Sequence, residues 1–458
     1  MRRRWLINAF LAVAALGAPA TARANGAFPD SESIITPADR PQDILLVTNF
    51  GLVTSSDDGK TWLWSCEQDG NSLGAFYQLT PLPQNRLFTV STQKLAFSDD
   101  RSCGWQTAGG AVAGQSITDA YLDTVSGTRV FAIAVSNQVY SLYQSTDSGG
   151  TFAPALYQAP MSQIMSGVES ARSDPNVVYL AMRSTAGAPL LARSSDGGAH
   201  FTVNDLSADL GSGLLRIIAV DPGDANRVLL SFLGSADQSI ALTTDGGMSV
   251  TKPVTINGNF NSYTRLPSGT ILIGAMVDFS SVPGLFRSHD GGASFEMVAS
   301  PPGIRALSQR NGLVYAAADN FGDGYAIGTS ADEGSTWQGL MTYADIKAIN
   351  PCLKTTCQDV CSQEVGLSLW TADTCSADAP MSTGTAGSGG GGNVGMAGSG
   401  GATGGSSGVG GAGGSGGGGK PPSGHSGCAV AGRTAVDVTG ACAMMSLLVL
   451  AARRRRRR

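Results

Sequence analysis

The chain has 458 residues, of which 14 % are charged and 62 are glycine, a balance that suits a turn-rich β protein better than a helical one. Its formal charge of −5 hides a more acidic body: residues 1–24 carry four arginines and no acids, and 429–458 carry seven arginines and one aspartate. Without these ends 19 basic and 34 acidic residues remain, a net charge of −15, and such a body repels phosphate backbones, which excludes nucleic acid as a partner.

In chain order, the first feature is MRRRWLINAFLAVAALGAPATARAN. A basic start, an apolar run from Trp5 to Leu16 and the small-residue site Ala22-Arg23-Ala24 read as a secretory signal peptide over residues 1–24. The apolar run is too short to span a bilayer. Export places the eight cysteines in an oxidising compartment.

Then comes a repeat. SSDDGKTW (55–62), SDDRSCGW (98–105), STDSGGTF (145–152), SSDGGAHF (194–201), TTDGGMSV (243–250), SHDGGASF (288–295) and SADEGSTW (330–337) align on Asp57, Asp100, Asp147, Asp196, Asp245, Asp290 and Asp332. Successive gaps of 43, 47, 49, 49, 45 and 42 residues are the signature of a repeat architecture. Each copy sits among short apolar runs such as VFAIAV, VYSLYQS, VVYLAM and TILIGAM. About four such runs per repeat describe a four-stranded antiparallel blade, and seven blades close into an all-β, seven-bladed β-propeller over 33–346. Within each copy the aspartate can accept backbone N–H groups and close the turn. The fifth-position glycine admits a positive φ, and the final aromatic packs between sheets. Seven equivalent carboxylates cannot share one active site, so they are expected to be structural. For the same reason Trp62, Trp105 and Trp337 are expected in the core rather than as stacking platforms.

The pattern S/T-x-D-x-G-x-T/S-W/F resembles the Asp-box, or bacterial neuraminidase repeat, of sialidases, xyloglucan-degrading enzymes, sortilin-type receptors and photosystem assembly factors. The resemblance implies the propeller fold and is nearly silent on activity. The second copy departs from it at Ser102 and the fifth at Val250, so those two turns are expected to be held less tightly. Two readings of ring closure stand. Residues 34–49 mimic 217–232, which makes blade 1 complete at its own N-terminus, the reading we favour; otherwise YADIKAI (343–349) returns to supply its inner strand.

Cys66 follows the first copy and Cys103 lies in the second, so a bond between adjacent blades is expected there. Cys352, Cys357, Cys361 and Cys375 follow the propeller with C-x4-C-x3-C-x13-C spacing. No CxxC pair occurs in this exported chain, so two disulfides of undetermined connectivity are expected instead of zinc, within an extension over 347–378. Residues 379–427 are a Gly/Ser-rich stretch read as a disordered tether. The end, 428–458, joins a glycine-cysteine pair, an apolar stretch and six arginines. It resembles the myxobacterial C-terminal sorting signal, which implies processing at Cys428 and a cell-surface lipid anchor. The alternative is a stop-transfer helix.

These features point to an exported, surface-anchored propeller that binds a glycan, protein or envelope component without catalysis. It is expected to be monomeric, to touch membrane only through its C-terminal anchor, and to need no cofactor or metal. A sialidase-like or other glycoside hydrolase is the first alternative, and an assembly role like that of photosystem factors the second. A sialidase needs an arginine triad and a Tyr/Glu pair, but no Arg-Ile-Pro precedes the first copy. Arg172, Arg216, Arg265 and Arg305 lie near inner strands, and the propeller glutamates are Glu67, Glu169, Glu296 and Glu333. His200, His289 and His425 make no metal-ligand pair.

Overall fold

The computed structural model describes residues 29–66, 76–91, 94–123, 125–235, 237–277 and 282–379. The expected signal peptide, Glu67, His425, Cys428, and the tether and anchor beyond residue 379 lie outside them.

Seven antiparallel sheets follow one another along the chain. Blade 1 comprises Ser31–Ile35, Ile44–Thr48, Gly51–Ser55 and Trp62–Ser65, and blade 2 comprises Phe76–Leu79, Leu87–Val90, Leu95–Ser98 and Gln106–Thr107. Blade 3 uses Ser116–Leu122, Val130–Ser136, Val139–Ser145 and Tyr157–Gln158, and blade 4 Gln163–Ser170, Val178–Ser184, Pro189–Ser194 and Thr202–Asp205. Blade 5 uses Leu214–Val220, Val228–Leu233, Gln238–Thr243 and Thr251–Ile256. Blades 6 and 7 run from Gly258–Arg265 to Glu296–Val298 and from Ala306–Arg310 to Gln338–Met341. The second strands read VFAIAV or ILIGAM because both their faces are covered by neighbouring sheets, and Val130 to Ala134 are all buried. Outer strands such as Thr202–Asp205 meet solvent and are polar.

The core is divided among the seams. One cluster joins Phe131, Ile133 and Leu142 of blade 3 to Val178, Leu180 and Met182 of blade 4, and equivalent clusters fill the other seams. Among the described residues the seam between blades 1 and 2 is the thinnest, its cluster of buried residues being Val47, Leu52, Tyr77 and Leu87.

The repeated octapeptides form the hairpins between third and fourth strands. In all seven, the first-position hydroxyl donates to the aspartate at 2.6–2.9 Å and accepts the fifth-position N–H at 2.9 Å. The aspartate then accepts the seventh-position N–H at 2.7–3.1 Å. The second hairpin keeps this network although Ser102 stands at φ +73° where other copies have glycine, and a disulfide through Cys103 also pins it. Each hairpin leans on the preceding blade. Arg227 donates to Gly291 O at 2.9 Å, Arg287 to Ser335 Oγ at 2.9 Å and Arg310 to Asp58 at 2.5 Å.

Blade 1 is complete from its own N-terminal strand. Residues Ile346–Ile349, from YADIKAI, do not supply an inner strand. They add a fifth strand to blade 1, parallel to the outer Trp62–Ser65, because the inner position is already filled by Ser31–Ile35. Tyr343 reaches across the closure and shares a 2.9 Å hydrogen bond with Ser31.

The extension then packs a helix, Lys354–Gly366, and a short turn of helix, Ala372–Ser376, against that edge. The expected Cys66–Cys103 bond is absent. Cys66 pairs with Cys357, Cys103 with Cys352, and Cys361 with Cys375. The extension sits over the thin seam and offers each blade its own partner, so it bridges blades 1 and 2 indirectly.

Candidate functional site

The inner strands surround the propeller axis, and their polar side chains bond from blade to blade. Gln78 of blade 2 donates to Ala120 O at 2.7 Å, Asp119 of blade 3 accepts Val168 N at 3.0 Å, and Ser166 of blade 4 donates to Leu215 O at 2.6 Å. Glu169 accepts Val220 N at 2.8 Å, and Asn261 of blade 6 donates to Ile304 O at 2.8 Å. Extra residues bulge in these strands between Ile117 and Asp119, Met165 and Gly167, and Phe260 and Ser262. The bulges turn Ser166 and Asn261 out of their own ladders toward the next blade.

Of the arginines singled out from sequence, Arg265 pairs with Asp221 across the seam of blades 5 and 6, and Arg305 pairs with Asp30 at 2.8 Å across blades 7 and 1. Arg216 lies on the inner strand of blade 5 and Arg172 in the loop after that of blade 4. Glu296 holds Arg287, and Glu333 accepts the hydroxyls of Ser268 and Thr270.

Glu169 is the unusual acid of the wall. Burial, reinforced by the charge of Asp119, pushes its carboxyl up to about 8. The folded value lies above the unfolded one, so the associated stability is complete below the unfolded pKa near 4.5 and is lost as pH rises through 8. Glu169→Gln keeps an oxygen for Val220 N and removes the ionisation. Its stability relative to wild type is expected to grow by on the order of 2 kcal/mol between pH 5 and 8.5, an allowance for residual solvent having been made. Urea midpoints of both proteins across that range check this; parallel curves would refute it.

The seven repeat aspartates lie on seven separate hairpins and are not brought together. The Ser294 hydroxyl and backbone N–H hold Asp290 at about 2, and those of Thr336 do the same for Asp332. Carboxylates held so low are ionised at neutral pH and have no proton to donate. His200 is bonded to Asp196, and His289 lies beside Thr270 and Glu333. Among the described residues no group of three His, Cys, Asp or Glu is arranged to hold a metal ion.

Among the described residues, two of the concavities lie between blades. One, of 330 Å³ between blades 2 and 3, is lined by Arg86, Asp99 and Asp147, but Arg86 is occupied by Asp99 and by the carbonyls of Asp147 and Ser148. The other, of 290 Å³ between blades 6 and 7, is lined by Pro301, Pro302, Asp323, Tyr325, Ser335 and Trp337. Here the local sequence builds a platform. Tyr325 lies against Gly328 and Gly339, where a Cβ would come within 2.5 and 3.0 Å of its ring. Asp323 accepts Gly303 N at 2.8 Å and Asp319 N at 3.1 Å through one oxygen, which leaves the other for a ligand. Burial, with the charge of Asp323, raises the Tyr325 hydroxyl, which therefore remains a donor. Trp337 donates its indole N–H to Gly334 O at 2.9 Å.

This revises the expectation for the tryptophans. Trp62 is 2 % exposed, with the added strand Ile346–Ile349 paired alongside it, whereas Trp105 and Trp337 are half-buried and pack only at the margins of the seam clusters. Asp119, Asp323 and Tyr325 were not singled out from sequence. The only local signal was the Asp/Gly-rich loop DNFGDGY at 319–325.

Neither a protein-family model nor a curated protein matches the sequence. Solved structures similar to it include the Niastella koreensis GH74 enzyme, at 14 % identity and TM-score 0.39 over 68 % of this chain and 66 % of that one. An ancestral GH74 enzyme is similar at 12 % identity and TM-score 0.40, over 69 % of this chain and 55 % of that one. YCF48 from Cyanidioschyzon merolae is similar at 11 % identity and TM-score 0.44, over 64 % of this chain and 93 % of that one. The chain thus spans less than two thirds of the first two proteins. At such identities and scores the likeness goes no further than the seven-bladed propeller that the sheets themselves display.

Proposed function

We propose that this is an exported, surface-anchored, non-catalytic binding propeller of the Asp-box type, and that it holds a glycan in the groove between blades 6 and 7. The observation that carries the reading is that two half-buried aromatic rings, Trp337 and Tyr325, line one concavity with an Asp323 oxygen that makes no bond among the described residues and a protonated tyrosine hydroxyl. Sugar rings stack on aromatic faces through their C–H surfaces, and their hydroxyls suit a carboxylate acceptor and a phenol donor. The neighbouring cation, Arg287, is occupied by Glu296 and Ser335, which favours a neutral saccharide over an anionic one. Support for the non-catalytic half comes from the inner wall, where Gln78, Asp119, Ser166, Glu169 and Asn261 all join blades together.

The test is titration with neutral hexasaccharides, read by tryptophan fluorescence and calorimetry. Trp337→Ala is expected to abolish detectable binding, and Asp323→Asn to weaken it about tenfold, as for the loss of one charge-assisted hydrogen bond. Unchanged affinity in both variants would refute the site. One observation favours a second reading, glycoside hydrolysis: Glu169 stays protonated near neutral pH beside a second carboxyl, Asp119, as a general acid requires. Turnover of a hexasaccharide by the wild type, lost in Glu169→Gln, would establish that reading in place of the first.

A further inference from the structure

We infer that the disulfide-bonded extension is a mechanical clamp, which takes a pull arriving from the C-terminal segment past the ring and into blade 1, with Cys103–Cys352 as a reserve path into blade 2. The inference rests on the surface-anchor reading only for the origin of the pull; the clamp itself follows from connectivity. Residue 379 is the last described residue, so any force from beyond it enters the fold there. Without cross-links that force would peel Ile346–Ile349 from Trp62–Ser65 and then act on blade 7. With them, it passes from Cys375 to Cys361, along four residues to Cys357, and across to Cys66. A second connection enters blade 2 from Cys352 to Cys103. Blades 2 to 7 lie almost wholly inside the closed loop from Cys66 to Cys357, a separation of 291 residues, and so they are excluded from the path of tension.

Placement supports the same conclusion. The two inter-element disulfides land on the two sides of the thinnest seam, between blades 1 and 2. Both bonded sulfurs of the inner connection are shielded, with Cys66 2 % and Cys357 0 % exposed, so solvent thiols reach them poorly. Trp370 of the extension packs 5.1 Å from Trp64 and 6.0 Å from Phe50. The clamp is therefore seated on the outer edge of blade 1 rather than attached by sulfur alone.

The experiment is single-molecule stretching of the exported chain between its two ends, with the length released on unfolding as the readout. The segment beyond 379 adds the same amount in every case. Oxidised protein exposes a covalent path of about 45 residues (29–66, 357–361 and 375–379), so it is expected to release about 150 Å. Molecules reduced in the instrument after folding are expected to release about 1,200 Å from about 350 residues, an eightfold difference. Cys66→Ser/Cys357→Ser reroutes tension through Cys103–Cys352 and is expected to give about 300 Å from about 87 residues. Cys103→Ser/Cys352→Ser should remain at the short value. A release near 1,200 Å from oxidised wild type, or equal lengths for the two double variants, would overturn the clamp. Loss of surface attachment after protease treatment of whole cells tests the anchor separately, so the two ideas can fail independently.

Discussion

Gly149→Ala is expected to lower stability by about 3–4 kcal/mol. The residue has φ +76°, where a Cβ costs about 1–2 kcal/mol. That Cβ would also lie 2.3 and 2.5 Å from two ring carbons of Phe88 on the preceding blade, and overpacking of this kind costs about 1–3 kcal/mol. Position five of the hairpin is where one blade touches the next: Gly247 meets Leu191 and Gly334 meets Leu285 in the same way. Gly197, one position earlier in the fourth hairpin, is the control. Its φ is +78°, but nothing lies within 4 Å of a built Cβ, and Asp58, Ser148 and Glu333 occupy the equivalent place in other copies. Gly197→Ala should cost about 1 kcal/mol. Urea denaturation of both variants measures the difference, and Phe88→Leu should recover part of the Gly149→Ala loss. Equal costs at the two positions would remove the packing explanation.

Removing one inter-element disulfide should cost about 4 kcal/mol, and removing the second a further 5–6 kcal/mol. The asymmetry comes from nested loops. Cys66–Cys357 and Cys103–Cys352 close loops of 291 and 249 residues, but while either is intact the other restrains only about 42 more residues of the unfolded chain. The chain-entropy relation then assigns about 4 kcal/mol to the first loss and about 5.5 kcal/mol to the second. Denaturation of Cys66→Ser/Cys357→Ser, Cys103→Ser/Cys352→Ser and the quadruple variant measures all three steps. Strictly additive losses, or a first loss below 1 kcal/mol, would contradict it. The quadruple variant is expected to be the least able to refold, since the thin seam between blades 1 and 2 has little buried apolar surface to compensate.

What the sequence determined by itself is local or repeated. Each hairpin closes through bonds spanning two to four residues, so eight consecutive residues carry all its chemistry, and seven copies of it imply seven blades without any knowledge of their contacts. The apolar second strands were legible for the same reason, as runs of covered residues between turns. Tertiary structure decided what depends on distant partners. Cys66 was expected to pair with Cys103 of the next blade but took Cys357, 291 residues away, because the parallel strand Ile346–Ile349 brings the extension to the edge of blade 1. No spacing rule carries that information. Asp119 and Glu169 become neighbours only when blades 3 and 4 pack side by side, and Trp337 becomes an open platform only because Tyr325, Asp323 and the two prolines arrive from other turns. Bonds between near neighbours in the chain are set by residue type and spacing, whereas the surfaces that meet a ligand are assembled across seams by packing.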